Sequence, residues 1–416
     1  MMLKCGLLGK KLGHSYSPRI HSLLGDYEYL LYEKNEDELE DFLLNGRWDG
    51  LNVTIPYKKA VIKYCDKLSP AALRTGSVNT LVKTGDNRIT GDNTDLYGFS
   101  SMLDRTGTDL SGKKALVLGS GGASLSVRTA LQERGANVLV ISRSGEDNYD
   151  NLSRHHDAAV IVNTTPVGMY PANGISPVEP ADFKNCEAVL DIIYNPCRTA
   201  LVMKAQELGI KSGSGLHMLV AQALRSSELF TGSSIQISEI DRIEKQLSFE
   251  MQNIILTGMP GSGKSTIARI LGEMTGKAVA ELDDEILKAT GYTPEKYIES
   301  FGEAAFRKAE SQIAERFGKE SGLIISTGGG VVTVESNYPL LHQNGVIFWI
   351  RRNIDVLPVD SRPLSKAQGL SQMYEKRKPM YERFADAAVD NDSDPRETAR
   401  RILKHLTQEV TDCYEL

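Results

Sequence analysis

The sequence predicts an α/β protein of three successive domains, and three observations carry that expectation. Its 416 residues are two to three times the ~150 residues of one domain. Short apolar strand-like runs alternate with amphipathic helical stretches from end to end. Two glycine-rich loops, each set between an apolar strand and a helix, mark the openings of two separate units. With 41% hydrophobic and 25% charged residues, the chain has ample apolar surface for real cores, which excludes wholesale disorder. Lys and Arg number 48 against 54 Asp and Glu, a net charge of -6, so no polyanion-binding surface such as nucleic acid demands is expected. Any phosphate recognition must be local.

Residues 1–98 form the first domain, with strands expected over Leu3–Leu8, Tyr27–Tyr32, Gly50–Thr54 and Val78–Val82. A helix is expected over Asp37–Leu44, and the acidic run Glu33–Asp41 reads as its solvated face. The second domain, 99–212, opens on a βαβ unit: strand Lys113–Gly119, helix Gly121–Gly135, strand Ala136–Ser142. Strand-like Ala158–Thr165 and Glu187–Tyr194 follow. Residues 213–248 supply two closing helices, Gly215–Phe230 and Ser238–Gln246, and a linker. The polar segment Gln246–Asn253, with Met251 where a free-standing protein would start, reads as a fusion joint. The third domain, 251–416, opens on the strand Ile254–Thr257 and ends in a helix over Pro395–Leu406. No segment approaches the ~18 apolar residues needed to cross a bilayer, and the N-terminus lacks a signal-peptide core. Five cysteines (Cys5, Cys65, Cys186, Cys197 and Cys413) form no CxxC pair, which suits free thiols in a reducing compartment. A cytoplasmic protein with small-molecule partners, and neither membrane nor nucleic acid, is the expectation; a homodimer is left open.

The second glycine loop, GMPGSGKST (Gly258–Thr266), fits GxxxxGK[ST]. Gly261, Ser262 and Gly263 let successive backbone N–H groups point inward at phosphate oxygens, and the helix from Thr266 aims its N-terminus at the same place. Lys264 supplies a charge for the β/γ-phosphates of ATP, and the Ser265 hydroxyl a ligand for Mg²⁺. From 251 to about 410 the chain resembles shikimate kinase, a P-loop kinase with a nucleoside-monophosphate-kinase-like parallel sheet and a lid. The resemblance places Asp283 of Glu281-Leu282-Asp283 at the reacting substrate hydroxyl, and Glu281 near Mg²⁺ in place of the usual aspartate. GEAAFRKAE (Gly302–Glu310) brings Arg307 to the substrate carboxylate, a planar anion that guanidinium matches with two parallel bonds. Gly329 and Gly330 of the run Gly328–Gly330 fall beside the substrate, Arg377 of KRKPMY at the second carboxylate-binding position, and Arg362 of RPL in the lid over the phosphates. Between Ile350 and Arg362 the lid segment is shorter than the family's, which bears on its closure.

The first loop, LGSGGAS, offers Gly119, Ser120, Gly121, Gly122 and Ala123 to a dinucleotide. The next strand ends in Ser142-Arg143-Ser144 where an NAD site would carry an acid, so NADP(H) is expected, with Arg143 on the 2′-phosphate and Asp147 as an unfavourable charge nearby. Residues 3 to 246 resemble shikimate dehydrogenase through GLLGKKLGHSYSPRIHS, GLNVTIPYK, GSVNTL, GDNTDLYG, NTTPVGM, DIIYNP and GLHMLVAQA, all in order. The implied fold is an α/β substrate domain followed by an NADP-binding Rossmann domain. The implied catalytic pair is Lys58 with Asp95; alone, Lys58 reads as a solvated lysine and Asp95 as a helix cap. Ser15 and Ser17 are implied at the substrate carboxylate, Asn52, Thr54, Asn79, Tyr194 and Gln222 at the carboxylate or ring hydroxyls, and Ile192 and Gly215 on the cofactor side. His14 reads as a packing residue, His155-His156 as a surface pair, and His217 replaces a common glycine. Together these imply a bifunctional enzyme reducing 3-dehydroshikimate with NADPH and phosphorylating shikimate with ATP and Mg²⁺. The rivals are the same fusion with one half non-catalytic, and a dehydrogenase that also accepts quinate.

Overall fold

The computed structural model describes residues 2–13, 15–357 and 369–409; His14, Cys413, Arg362 and the rest of 358–368 lie outside the described residues. Three sheets follow one another along the chain. The first holds β1 (Lys4–Gly9), β2 (Glu28–Glu33), β3 (Gly50–Val53), β4 (Lys67–Leu68), β5 (Thr80–Lys83) and β6 (Ile89–Asp92) in the order β2-β1-β3-β5-β6-β4. Its β3–β5 and β5–β6 pairs are antiparallel. The short β4 and β6 carry no apolar run of their own, which is why the sequence does not announce them.

The second sheet is wholly parallel: β7 (Lys114–Leu118), β8 (Asn137–Ile141), β9 (Val160–Asn163), β10 (Ala188–Asp191) and β11 (Lys211–Gly213), in the order β11-β10-β9-β7-β8. Strand order reverses at β7, and a crevice opens at the carboxyl ends beside such a switch point. In the third parallel sheet, β12 (Asn253–Thr257), β13 (Ala278–Glu281), β14 (Leu323–Ser326), β15 (Gly345–Arg351) and β16 (Ala387–Asp390) run β13-β14-β12-β15-β16. Buried Ile254, Ile255, Leu256, Ile347 and Phe348 on β12 and β15 give the continuous apolar runs of a sheet covered on both faces.

Helix Leu216–Thr231 lies along helix Thr94–Arg105. Gly98 permits that crossing, since a Cβ there would sit 2.6 Å from the Met218 carbonyl oxygen. The fusion joint differs from expectation. Helix Ser238–Met251 runs straight through the polar segment, leaving Gln252 alone before β12. Its buried positions Ile240, Ile243, Leu247 and Met251 recur at helical spacing, so polar composition there marked one face of a helix, not a linker. No helix among the described residues is long and apolar enough to cross a membrane.

Candidate active sites

The first cleft lies between the first sheet and the second domain. Ser15, Ser17, Asn52, Thr54, Lys58, Asn79 and Asp95 line it from one side, and Ala123, Ile192, Tyr194, Gly215 and Gln222 from the other. Lys58 Nζ donates to Asp95 Oδ2 at 2.6 Å, and Asn79 Nδ2 donates to Asp95 Oδ1 at 2.9 Å. Asp95 is not the helix cap. Asn93 takes that place, accepting from the Leu96 N–H, so Asp95 sits in the first turn of helix Thr94–Arg105, where the helix dipole favours an anion. Asn79 also accepts from the Thr94 N–H at 2.7 Å, which fixes β5's approach to this helix. Lys58 is thus aimed by a carboxylate that is itself held from two elements.

Asn52 lines the cleft, but its side chain is engaged within the protein. It accepts from the Tyr29 hydroxyl at 2.7 Å and donates to Ser226 at 2.7 Å. Gln222 donates to the Leu219 carbonyl, and Tyr194 meets Tyr16 edge-on with centroids 6.0 Å apart.

The first glycine loop faces this pair across the cleft. Gly119 has φ +103, a left-handed conformation that glycine adopts without strain. Gly121 has open space where a side chain would stand, and a Cβ on Gly122 would lie 3.6 Å from Lys58 Cδ. The loop and the lysine are thus neighbours, and the open side of Gly121 leaves space for a ligand's phosphates. Ser120 and Arg143 are exposed, and the Ser142 N–H donates to the Asp147 carbonyl at 3.2 Å. Here one expectation is corrected: His155 is 9% exposed rather than on the surface, and its Nε2 lies 2.8 Å from Asp147 Oδ1. The Asp147 carboxylate therefore points at the histidine. His156 packs edge-on against Phe183. His217 turns away from the cleft, placing Nδ1 2.8 Å from Glu244 and Nε2 2.8 Å from Ser101.

Sequence reasoning missed Asp191. Burial pushes its carboxyl up to about 6, and it accepts from Asn163 at 3.1 Å, the Ile193 N–H at 3.0 Å and Thr199 at 2.8 Å. It closes the base of the loop carrying Ile192 and Tyr194. A Cβ on Gly215 would fall 2.0 Å from the Ile192 carbonyl, so that loop and the helix after it touch backbone to backbone.

In the third domain the loop after β12 turns through Gly258, Gly261 and Gly263, with φ +145, +82 and +98. Lys264 Nζ rests on the Gly258 and Met259 carbonyls at 3.0 and 3.1 Å, and Thr266 lies in the first turn of helix Lys264–Thr275. Asn391, another residue the sequence did not single out, donates to the Ser262 carbonyl at 2.7 Å and braces the loop from β16. Ser265 Oγ donates to Glu281 Oε2 at 3.0 Å. A hydroxyl and a carboxylate oxygen so placed are two of the hard oxygen donors a divalent cation would need.

Across from this loop, Asp283 stands exposed on the first turn of helix Leu282–Thr290. A Cβ on Gly328 would lie 3.1 Å from Asp283 Oδ1 and 2.5 Å from Glu310 Oε1. Arg377 Nη1 and the Tyr381 hydroxyl donate to the Gly329 carbonyl at 3.1 and 2.5 Å. Arg307 reaches the same run, but it is not a free fork: its guanidinium donates to Glu310 at 2.7 Å and Glu303 at 3.1 Å. Glu310 is 1% exposed. Burial raises its carboxyl and Asp283 adds to that, while Arg307 and Arg377 pull it down. Two arginines and two acids thus surround three glycines. A Cβ on Gly330 would meet the Arg307 guanidinium at 2.1 Å, so Gly330→Ala is expected to raise KM for the third domain's substrate roughly tenfold by displacing that guanidinium. Steady-state kinetics of the variant check this.

Comparison with known proteins finds matches in both halves of the chain. The family model for the shikimate dehydrogenase substrate-binding domain matches residues 7–81, and that for shikimate kinase matches residues 260–407. The NADP(+) shikimate dehydrogenase of Clostridium perfringens (strain SM101) is 35% identical over 264 residues, covering 58% of this chain and 97% of that protein. That of Oleidesulfovibrio alaskensis is 39% identical over 259 residues, 56% of this chain and 91% of its own. Among solved structures, a chorismate mutase/shikimate 5-dehydrogenase fusion from Clostridium acetobutylicum superposes with a TM-score of 0.56 at 36% identity, over 59% of this chain and 97% of that one. The Thermus thermophilus shikimate 5-dehydrogenase in complex with NADP(H) and shikimate gives 0.54 at 31% identity, over 59% and 99%. The chain therefore belongs to the shikimate dehydrogenase family and carries, on its C-terminal side, a domain of the shikimate kinase family.

Proposed function

We propose that the two sites work in sequence: the first cleft reduces 3-dehydroshikimate to shikimate with NADPH, and the third domain phosphorylates the shikimate 3-hydroxyl with ATP. The observation that carries this reading is the Lys58–Asp95 pair, 2.6 Å apart, set opposite a glycine loop. NADPH, when bound along Gly119–Ala123 with Arg143 at its 2′-phosphate, supplies the hydride. Lys58 donates a proton to the ketone oxygen as negative charge develops there. Asp95 and Asn79 hold the ammonium in place, so little reorganisation is left for the reacting step. Ser15, Ser17 and Thr54 offer hydroxyls to the carboxylate, with Tyr194 and Gln222 on the ring hydroxyls. Each such bond rejects analogues that lack the matching group.

In the kinase, the 258–266 loop cradles the phosphates and Lys264 swings from its carbonyl rests to the β/γ-phosphates; Ser265 with Glu281 would hold Mg²⁺, which would neutralise phosphate charge. Asp283 accepts the hydrogen bond of the attacking hydroxyl. Arg307 and Arg377 fix the carboxylate, which orients the ring for transfer. The two halves thus recognise one acid by different chemistry, neutral hydroxyls in one and guanidinium in the other. Arg143 favours NADPH over NADH, with the Asp147 carboxylate turned to His155. Incubating the chain with 3-dehydroshikimate, NADPH, ATP and Mg²⁺ is expected to yield shikimate 3-phosphate by mass spectrometry. Shikimate accumulating alone would remove the kinase from this reading.

A further inference from the structure

The kinase domain grips the dehydrogenase on both walls of its cleft. From the first domain, the Tyr16 hydroxyl, between Ser15 and Ser17, faces Ser321, which offsets part of the rise that burial gives its pKa. Next to it, Arg19 forms a two-point bond with Glu250 at 2.6 and 3.1 Å, and the Glu250 carbonyl in turn accepts from Lys277 of the kinase. From the second domain, the Tyr170 hydroxyl donates to Glu320 at 3.1 Å. Glu320 and Ser321, adjacent in sequence, thus face opposite walls, Glu320 through a direct bond.

The loop after Asp191 is held in the same way. Its inner residues Ile192 and Tyr194 line the cleft, while its outer tip docks on the kinase. The Cys197 N–H donates to Asn344 Oδ1 at 2.9 Å, the Arg198 N–H to the Gln343 carbonyl at 2.9 Å, and Arg198 Nη1 to the His342 and Gly345 carbonyls at 2.6 and 3.1 Å. Asn344 is wholly buried, and its amide nitrogen caps the Gly318, Lys319 and Glu320 carbonyls that end helix Glu303–Lys319. One side chain therefore joins the dehydrogenase loop to the turn that bonds Tyr170 and faces Tyr16.

Resting on the dehydrogenase reading above, we infer that Asn344 and the Glu320–Ser321 turn are positioning residues of the dehydrogenase reaction, supplied by the kinase domain. They set the cleft's width by holding the Ser15–Ser17 segment and the Tyr194 loop at fixed separation, and neither touches substrate. Tyr16 and Tyr194, packed edge to face, are where the two held segments meet. The kinase is a structural component of its neighbour's substrate site as well as an enzyme. The helix ending at this turn also carries Arg307, ~20 Å back along its axis at 1.5 Å per residue.

The test uses the full-length chain. Arg198→Ala removes the loop tip's two side-chain bonds to the kinase and leaves its backbone bonds, and Tyr16→Phe removes one hydroxyl while keeping the ring against Tyr194. Each is expected to raise the dehydrogenase KM for 3-dehydroshikimate at least fivefold for Arg198→Ala and about threefold for Tyr16→Phe, with kcat within twofold and kinase constants unchanged. Arg198→Lys is expected to recover part of the loss. Tyr16→Phe combined with Ser321→Ala should be no worse than either alone. Unchanged KM in both single variants overturns the inference, as does a parallel fall of both activities, which would reduce the interface to a folding contact. A wild-type chain that phosphorylates shikimate yet oxidises no NADPH would instead overturn the dehydrogenase reading, and this inference with it.

Discussion

Lys58→Ala is expected to lower dehydrogenase kcat about a thousandfold, roughly 4 kcal/mol of barrier, with phosphorylation of added shikimate unaffected. The reasoning is geometric. Lys58 is the cationic side chain among the described residues lining the cleft, and its 2.6 Å bond to Asp95 leaves two ammonium protons for other partners. Removing the side chain takes away both the proton donor and the positive charge facing the developing alkoxide. Asp95→Asn keeps the shape and the contact with Asn79, so a smaller loss, about a hundredfold, is expected there. Progress curves of NADPH oxidation, read beside a coupled kinase assay on the same preparation, separate these outcomes. A Lys58→Ala variant within tenfold of wild type would remove Lys58 from the chemistry.

Arg307→Ala is expected to do the converse, abolishing measurable phosphorylation while NADPH oxidation continues, and to weaken the third domain as well. Glu310, 1% exposed, would lose its 2.7 Å partner. Stranding a buried carboxylate in this way costs about 3–5 kcal/mol. That deficit has a defined pH dependence. Burial already raises the Glu310 carboxyl; a group whose native-state pKa is raised binds its proton more readily folded than unfolded, so stability is lost as pH rises through that interval. The Arg307→Ala penalty should therefore shrink on acidification, as Glu310 becomes neutral. Arg307→Lys keeps charge without the fork, and should retain most of the stability while KM for shikimate rises about a hundredfold. Thermal melts at two pH values, alongside KM, distinguish the two roles.

What the sequence made legible follows from what each signal is. Strands β7, β9, β12 and β15 are buried on both faces, so they show as apolar runs, and the two glycine loops show because their backbone geometry admits little else. The Lys58–Asp95 and Asp283–Arg307–Arg377 sets were reachable through ordered motifs. Partners that act from outside a motif's reading were not. Glu310 stood within a quoted motif, yet its hold on Arg307 is a matter of burial. Asn391 meets the P-loop from a strand 129 residues away. Asp147 and His155 were read separately, one as an unfavourable charge and the other as surface, because their pairing depends on how the loop after β8 folds back. The helical joint was misjudged for a related reason. Polar residues on one face of a helix and polar residues in a linker have the same composition, and only the spacing of Ile240, Ile243, Leu247 and Met251 tells them apart.

That joint fixes the rotational phase of the whole molecule. With Gln252 alone between helix and strand, inserting or deleting one residue within Ser238–Met251 would swing everything downstream by ~100° about the helix axis and shift it by ~1.5 Å. Changes of length there come close to register only in steps of three or four residues. Elsewhere a surface loop can grow or shrink with little consequence, but at this splice the count of residues is itself a structural constant.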